Sequence, residues 1–152
     1  MYEITVTDAQ DPVSYLVWDD GAKQLISGTC TEYTVIGPDT AEPGTGYILE
    51  SGKWYVVKGT VNFANRIINN ANAAPAHLIL TDGCKFNVAK GINNEEGKSL
   101  CIYGQEGQSG ELNITNPPRF DAGLGGGYVK SGGMLTIHGG IVQSTGIDGG
   151  AA

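Results

Sequence analysis

Residues able to do chemistry are few in this chain of 152 residues, and they are scattered. The carboxylates Asp82, Glu95, Glu96, Glu106, Glu111, Asp121 and Asp148 are spread along the second half. A pair at the right separation would hydrolyse a glycosidic bond, one group protonating the leaving oxygen and the other serving as base or nucleophile. Asp82 and Glu111 are the best placed for this, near one turn on neighbouring repeats. A lyase would also want a base beside its calcium ligands, and Arg66 and Arg119 are the only arginines. Solvated turn charge accounts for all these carboxylates, so no enzyme is expected. Asp121, beside the run Gly123–Gly127, and Asp148 offer hard oxygen ligands to calcium. No EF-hand or calcium-binding nonapeptide spacing accompanies them. His77 and His138 have no Cys or Asp at ligand spacing, which predicts neither metal nor cofactor. Cys30, Cys84 and Cys101 show no CxxC spacing and read as small buried hydrophobes; the sequence leaves open whether any two of them pair. The glycine run lacks the GK[ST] of a phosphate loop. Gly107-Gln108-Ser109-Gly110 is not a GxSxG nucleophile elbow.

Binding chemistry has more to draw on. Sugars stack on exposed aromatic faces with polar groups beside them. Trp54, Tyr103 and Tyr128 are the candidate ligand-binding aromatics, with Tyr47 behind them. Gln105 joins them from the polar loop that follows Tyr103. Tyr128 follows the glycine run inside an insertion, and insertions to one side of a repeat array are where binding usually resides. The competing reading packs Trp54 beneath the N-terminal segment and makes the tyrosines framework.

The elements that must position these residues are strands. Glycine is 24 of 152 residues, about twice its usual share, without the triplet period of collagen. Charged residues are only 16%, too few for a self-repelling disordered chain. Such a composition with regular turns suits many short strands. No 3.6-residue period persists for ten residues, so no helix is expected.

From Gly52 onward the chain repeats. First stripes are Tyr55/Val57, Leu78/Leu80, Leu100/Ile102 and Leu135/Ile137. Second stripes are Val61/Phe63, Cys84/Phe86/Val88, Leu112/Ile114 and Val142/Ser144. Third positions are Ile67, Ile92, Leu124 and Ile147. The first-stripe steps are 23 residues (55 to 78), 22 (78 to 100) and 35 (100 to 135), the last holding an insertion at 116–131. Three short strands per low-twenties period predict stacked coils. The expected fold is all-β, a right-handed parallel β-helix of about four coils. An irregular β cap is expected over residues 1–50, with the coils over 51–152 and the C-terminal end open. Asn69-Asn70 and Asn93-Asn94 fall at equivalent places and predict an asparagine ladder. Outward residues of the first stripe are assigned as Trp54/Val56, His77/Ile79, Ser99/Cys101 and Met134/Thr136. An apolar strip there needs cover or a ligand, and the Tyr15–Trp18 strand is expected to cover it.

The runs Tyr15-Leu16-Val17-Trp18-Asp19-Asp20, Lys53-Trp54-Tyr55-Val56-Val57, His77-Leu78-Ile79-Leu80-Thr81-Asp82-Gly83, Ser99-Leu100-Cys101-Ile102-Tyr103-Gly104-Gln105 and Ala122-Gly123-Leu124-Gly125-Gly126-Gly127 follow one another in order. Together they resemble the right-handed parallel β-helix modules of large cell-surface proteins from gut Firmicutes and related anaerobes. The resemblance covers residues 14–150. It implies an adhesin-like or carbohydrate-binding-like surface role and brings no catalytic residues with it. The expectation is therefore a non-catalytic surface module, a stalk or adhesin with weak glycan binding. The alternative is the N-terminal part of a polysaccharide lyase or glycoside hydrolase whose site lies in later coils. A third reading is a trimeric virion fibre.

Net charge of −7 with nine scattered basic residues offers no footprint for nucleic acid and disfavours an anionic membrane surface. No stretch is apolar enough to insert in a membrane. Met1-Tyr2-Glu3-Ile4 lacks a signal peptide, which leaves an intracellular protein or an excised piece of a secreted one. The ending Gly149-Gly150-Ala151-Ala152, in mid-pattern, favours the second, and an extracellular or cell-wall location is expected. Expected partners are glycans or other cell-surface ligands, and a second copy meeting the open C-terminal coil end to end.

Overall fold

The computed structural model describes residues 10–115, 117–118 and 121–145. The strand-like run 3–7, Arg119, Ile147 and Asp148 lie outside the described residues. Within them the chain is all-β, with no helix.

It opens with an antiparallel hairpin of β1 (Val13–Asp19) and β2 (Gln24–Cys30), in register from Val13↔Cys30 to Asp19↔Gln24. The Asp19 carboxylate accepts the Gly21 N–H at 2.9 Å and fixes the turn. Tyr15 faces Gly28 across the pair, and its ring lies where a Cβ on Gly28 would sit.

All later pairings between strands are parallel. A first sheet holds β3 (Thr34–Ile36), β5 (Trp54–Val57), β8 (Ala76–Leu80), β11 (Ser99–Tyr103) and β14 (Met134–Ile137). A second holds β6 (Thr60–Phe63), β9 (Lys85–Val88), β12 (Glu111–Ile114) and β15 (Ile141–Ser144). The third holds β4 (Tyr47–Leu49), β7 (Ile67–Asn69), β10 (Ile92–Asn93) and β13 (Leu124–Gly125). From β5 onward the chain visits first, second and third sheet in rotation, and each return adds a strand beside the previous one. β3 and β4 already belong to the first and third sheets. Sheet membership therefore does not change at residue 50; the antiparallel part ends at Cys30.

The reason lies in alternation. Along β6, β9 and β12 every second side chain is buried: Val61 and Phe63, Phe86 and Val88, Leu112 and Ile114. One apolar cluster joins these to Tyr55, Leu78 and Ile102 of the first sheet and Leu49, Ile67 and Ile92 of the third. Fully burying an aliphatic side chain contributes about 1.5–3 kcal/mol, and this shared interior is the main stabilising term.

One register differs from the expectation. The repeat aligned Leu78 with Leu100, but Leu78 stands opposite Ile102, and Leu100 opposite Ala76. The step is 24 residues (78 to 102). A slip of two keeps every side chain on its own side of the sheet, so apolar alternation cannot detect it. Its consequence is that Cys101 faces His77 and Tyr103 faces Ile79 on the outer surface. Ser99 and Cys101 instead face Met134 and Thr136.

Two asparagine ladders run along the stack. Inside, Asn69 Nδ2 donates to Asn94 Oδ1 at 2.9 Å, and both residues are buried. Outside, on the second sheet, Asn87 donates to Asn62 at 2.9 Å and Asn113 to Asn87 at 3.1 Å. At the far end Leu135 and Ile137, in register with the buried Leu100 and Ile102, are 36% and 48% exposed.

Tight approach between successive passes makes some glycines obligatory. At Gly91, φ is +83° and a Cβ would fall on the carbonyl oxygen of Gly123. Gly91→Ala is expected to lower stability by about 2–3 kcal/mol through backbone strain and clash, measurable as an earlier urea midpoint at unchanged slope.

Candidate functional site

The outer face of the first sheet carries, among the described residues, a dense group of aromatic rings. Strand alternation points Trp54 and Val56, His77 and Ile79, Cys101 and Tyr103, and Thr136 outward. Register aligns Trp54 with His77, Cys101 and Thr136, and aligns Val56 with Ile79 and Tyr103. His138 follows β14. The indole of Trp54 stacks on His77 with centroids 4.0 Å apart and planes 9° from parallel. Tyr103 stacks on His138 at 5.0 Å and 11°. Tyr15 of the hairpin leans on both Trp54 and Tyr103, at 4.9 and 5.0 Å.

The hairpin lies over this strip. Val13 and Cys30 join Val56, Ile79 and Tyr103 in an apolar cluster separate from the interior. Three bonds from one edge of β1 anchor it. Leu16 N–H donates to Gly104 O at 3.0 Å, Gln105 Nε2 to Ser14 O at 2.9 Å, and Trp18 N–H to His138 Nδ1 at 3.0 Å. The last bond requires the His138 ring nitrogen to be unprotonated. Burial lowers the pKa of both His77 and His138 below the ordinary imidazole value. Burial, reinforced by the Cys101 thiol beside it, raises the Tyr103 phenol. Its hydroxyl shares a 2.8 Å hydrogen bond with His77 Nδ1.

Beside the end of β2 the cover gives way to an open groove of about 690 Å³. Its lining includes Trp54, Tyr33, Gln10, Glu32 and Lys53, with Thr29, Thr31 and Thr34. Thr34 is opposite Tyr55, so Tyr33 stands beside Trp54 on the neighbouring strand. His77 takes one face of the indole, on the β8 side, and the groove opens on the β3 side. Gln10 fixes Tyr33 by pairing with both its N–H and its C=O, at 3.0 and 2.7 Å. The Tyr33 hydroxyl donates to Asp11 O.

The four sequence candidates thus separate. Trp54 lines the groove while its other face is covered. Tyr103 is a strand residue, 5% exposed and beneath Tyr15; it packs the hairpin and presents no face to a ligand. Gln105 bridges the Asp82 N–H and Ser14 O and is part of the hairpin's anchor. Tyr128 stands apart at a turn of the insertion, 62% exposed, next to Val129 with φ of +53°. Tyr47 packs against Phe63 and Tyr55 at the interior. Tyr15 covers the strip as expected of the Tyr15–Trp18 strand, whereas Tyr33 and Gln10 were missed. Tyr33 is three residues beyond the end of β2 at Cys30, and only the pairing of β3 with β5 places it beside Trp54.

Asp82, Glu111 and Asp121 each have a structural partner. Asp82 accepts the Gly107 N–H at 2.9 Å and both N–H and O–H of Ser109, which brace the next loop and lower its pKa, Gly107 contributing most. Glu111 accepts from Asn113. Asp121 pairs with Arg66 at 3.2 Å. Among the described residues no three metal-ligating groups come together. All three cysteines are free: Cys84 sits in the interior cluster and Cys30 in the hairpin layer.

Comparison with protein-family models, with curated proteins and with solved structures finds no match to this chain.

Proposed function

We propose that this chain is a non-catalytic carbohydrate-binding module of a bacterial surface protein, and that its ligand site is the groove between Trp54 and Tyr33. The three parallel sheets are read as the sides of a right-handed parallel β-helix, a rigid support that holds the groove outward on an extracellular or wall-anchored chain. One observation carries the reading. Trp54 borders an open groove whose other lining residues are Tyr33, Gln10, Cys30, Gly52, three threonines and one residue of each charge, Glu32 and Lys53. Apolar sugar faces stack on indole, and ring hydroxyls bond to hydroxyl, amide and carboxylate groups. The lining suits a neutral sugar better than a polyanion. With one indole face, one tyrosine beside it and an open mouth, dissociation constants of about a millimolar are in keeping with it. Burial raises the Cys30 and Cys84 thiols, which leaves them inert toward exchange outside the cell. The exposed Leu135 and Ile137 suit a second copy meeting this end of the stack.

The test is a glycan array probed with the intact protein. Retention of neutral oligosaccharides is expected, with no release of unsaturated uronides or reducing sugars. Silence across neutral glycans would remove the binding role, and sugar release would replace it with the enzyme reading.

A further inference from the structure

The hairpin forms one wall of the groove through Thr29 and Cys30, so whatever holds the hairpin also holds the site. This inference rests on the glycan reading only for its consequence; the device itself is a property of the free protein. β1 is anchored at Ser14, Leu16 and Trp18, and the last anchor is an imidazole nitrogen. We propose that the β1–β2 hairpin is an acid-released clasp, held at neutral pH by Trp18 N–H donating to His138 Nδ1 and loosened when that nitrogen takes a proton.

Geometry makes the contact one-way. A backbone N–H can only donate, so the bond exists only while Nδ1 is an acceptor. A proton there sets two donors against each other at 3.0 Å. Trp18 stands opposite Leu25 in the hairpin, and its N–H points from the same strand edge as that of Leu16, away from β2. Losing His138 therefore leaves that N–H without its partner.

The surroundings do not favour the cation. Tyr103, stacked on His138, is an uncharged phenol. Tyr15 packs on the Tyr103 ring, and the Tyr103 hydroxyl is bonded to His77, a second imidazole whose pKa burial also lowers. Asp19 is bonded to Gly21 and Ala22, and Asp20 to the Trp18 indole N–H. Lys23 lies at the hairpin turn, and Glu106 is exposed on the 104–110 loop. None of these forms an ion pair with His138 among the described residues. Burial holds the His138 pKa below its ordinary value. The sign follows: the anchor is fully present above the unfolded-state pKa of about 6.5 and is lost as pH falls toward the lower folded value. A module with such a clasp would keep its groove in a neutral medium and dismantle it in an acidified one.

The experiment needs no ligand, so its failure is separate from failure of the glycan reading. Amide hydrogen exchange, corrected for intrinsic rates, is followed on the intact protein between about pH 7.5 and 5. Protection at Leu16 and Trp18 is expected to fall by about tenfold, the scale of one lost hydrogen bond. Protection at Ile102 and Leu112 in the stack should hold, which shows that the fold persists. In His138→Asn a carboxamide oxygen can replace Nδ1 as an acceptor that does not titrate, and the pH dependence should disappear. Hairpin protection independent of pH in the wild-type protein, or an undiminished pH dependence in H138N, would overturn the proposal.

Discussion

Phe86→Ala is expected to destabilise the protein by about 3–5 kcal/mol, the cost of emptying a fully buried aromatic site. Phe86 is wholly buried and stands edge-on to Phe63, with centroids 5.2 Å apart. Its register neighbours are Val61 and Leu112. All three belong to strands locked in ladders, which can move inward only by breaking them, so the cavity would stay open. For a chain of this size the loss corresponds to a fall in thermal midpoint of about 10 °C, against a total stability of about 5–15 kcal/mol. Far-ultraviolet circular dichroism on heating reads it directly. A shift of only a degree or two would mean that Phe86 does not fill the shared interior.

Asn69→Asp should be nearly as costly, with an unusual dependence on pH. The Asn69 amide group donates to Asn94 Oδ1 at 2.9 Å and to Ser99 O at 3.0 Å, and its oxygen accepts the Ala71 N–H. A carboxylate of the same shape would set an anionic oxygen against two acceptors in a buried site. About 3–5 kcal/mol is the usual cost of a buried charge left without its partner. Protonation removes the charge and returns one donor. The variant's Asp therefore has a folded-state pKa raised above the unfolded value of about 3.9. The charge-dependent part of its penalty is absent below that value and grows as pH rises to the folded pKa, while the loss of one of the two donated bonds remains at every pH. Urea unfolding at about pH 7.5 and 4.5 should show the gap between variant and wild type narrowing in acid. A gap that does not change with pH would contradict the buried amide ladder.

Much of this architecture was legible because it rests on period two. The turns after Leu80 and Val88 and the buried sides of β6, β9 and β12 follow from alternation and turn chemistry. An asparagine ladder was also expected, but with Asn69-Asn70 level with Asn93-Asn94, whereas Asn69 pairs with Asn94. What alternation cannot carry is register in steps of two, and that was the error at Ala76 to Tyr103. The same slip hid part of the site. With Leu100 set against Leu78, Tyr103 fell at the head of a polar loop and read as a sugar platform. With Ile102 against Leu78 it becomes an outward strand residue beneath Tyr15 and in a stack with His138. The histidines were weighed for metals, by spacing along the chain. Their role arises from stacking across successive strands, which no linear spacing encodes. Trp54 was found by residue type, whereas Tyr33 and Gln10 needed the hairpin to be placed first.

Localising glycan binding tests the central claim most directly. A titration of a neutral oligosaccharide retained on the array would be followed calorimetrically for wild type, Trp54→Ala and Tyr128→Ala. The groove account predicts that W54A loses binding by at least about tenfold, the scale of one lost aromatic platform, and that Y128A binds as wild type. Binding that survives W54A and disappears in Y128A would move the site to the insertion turn and contradict the account.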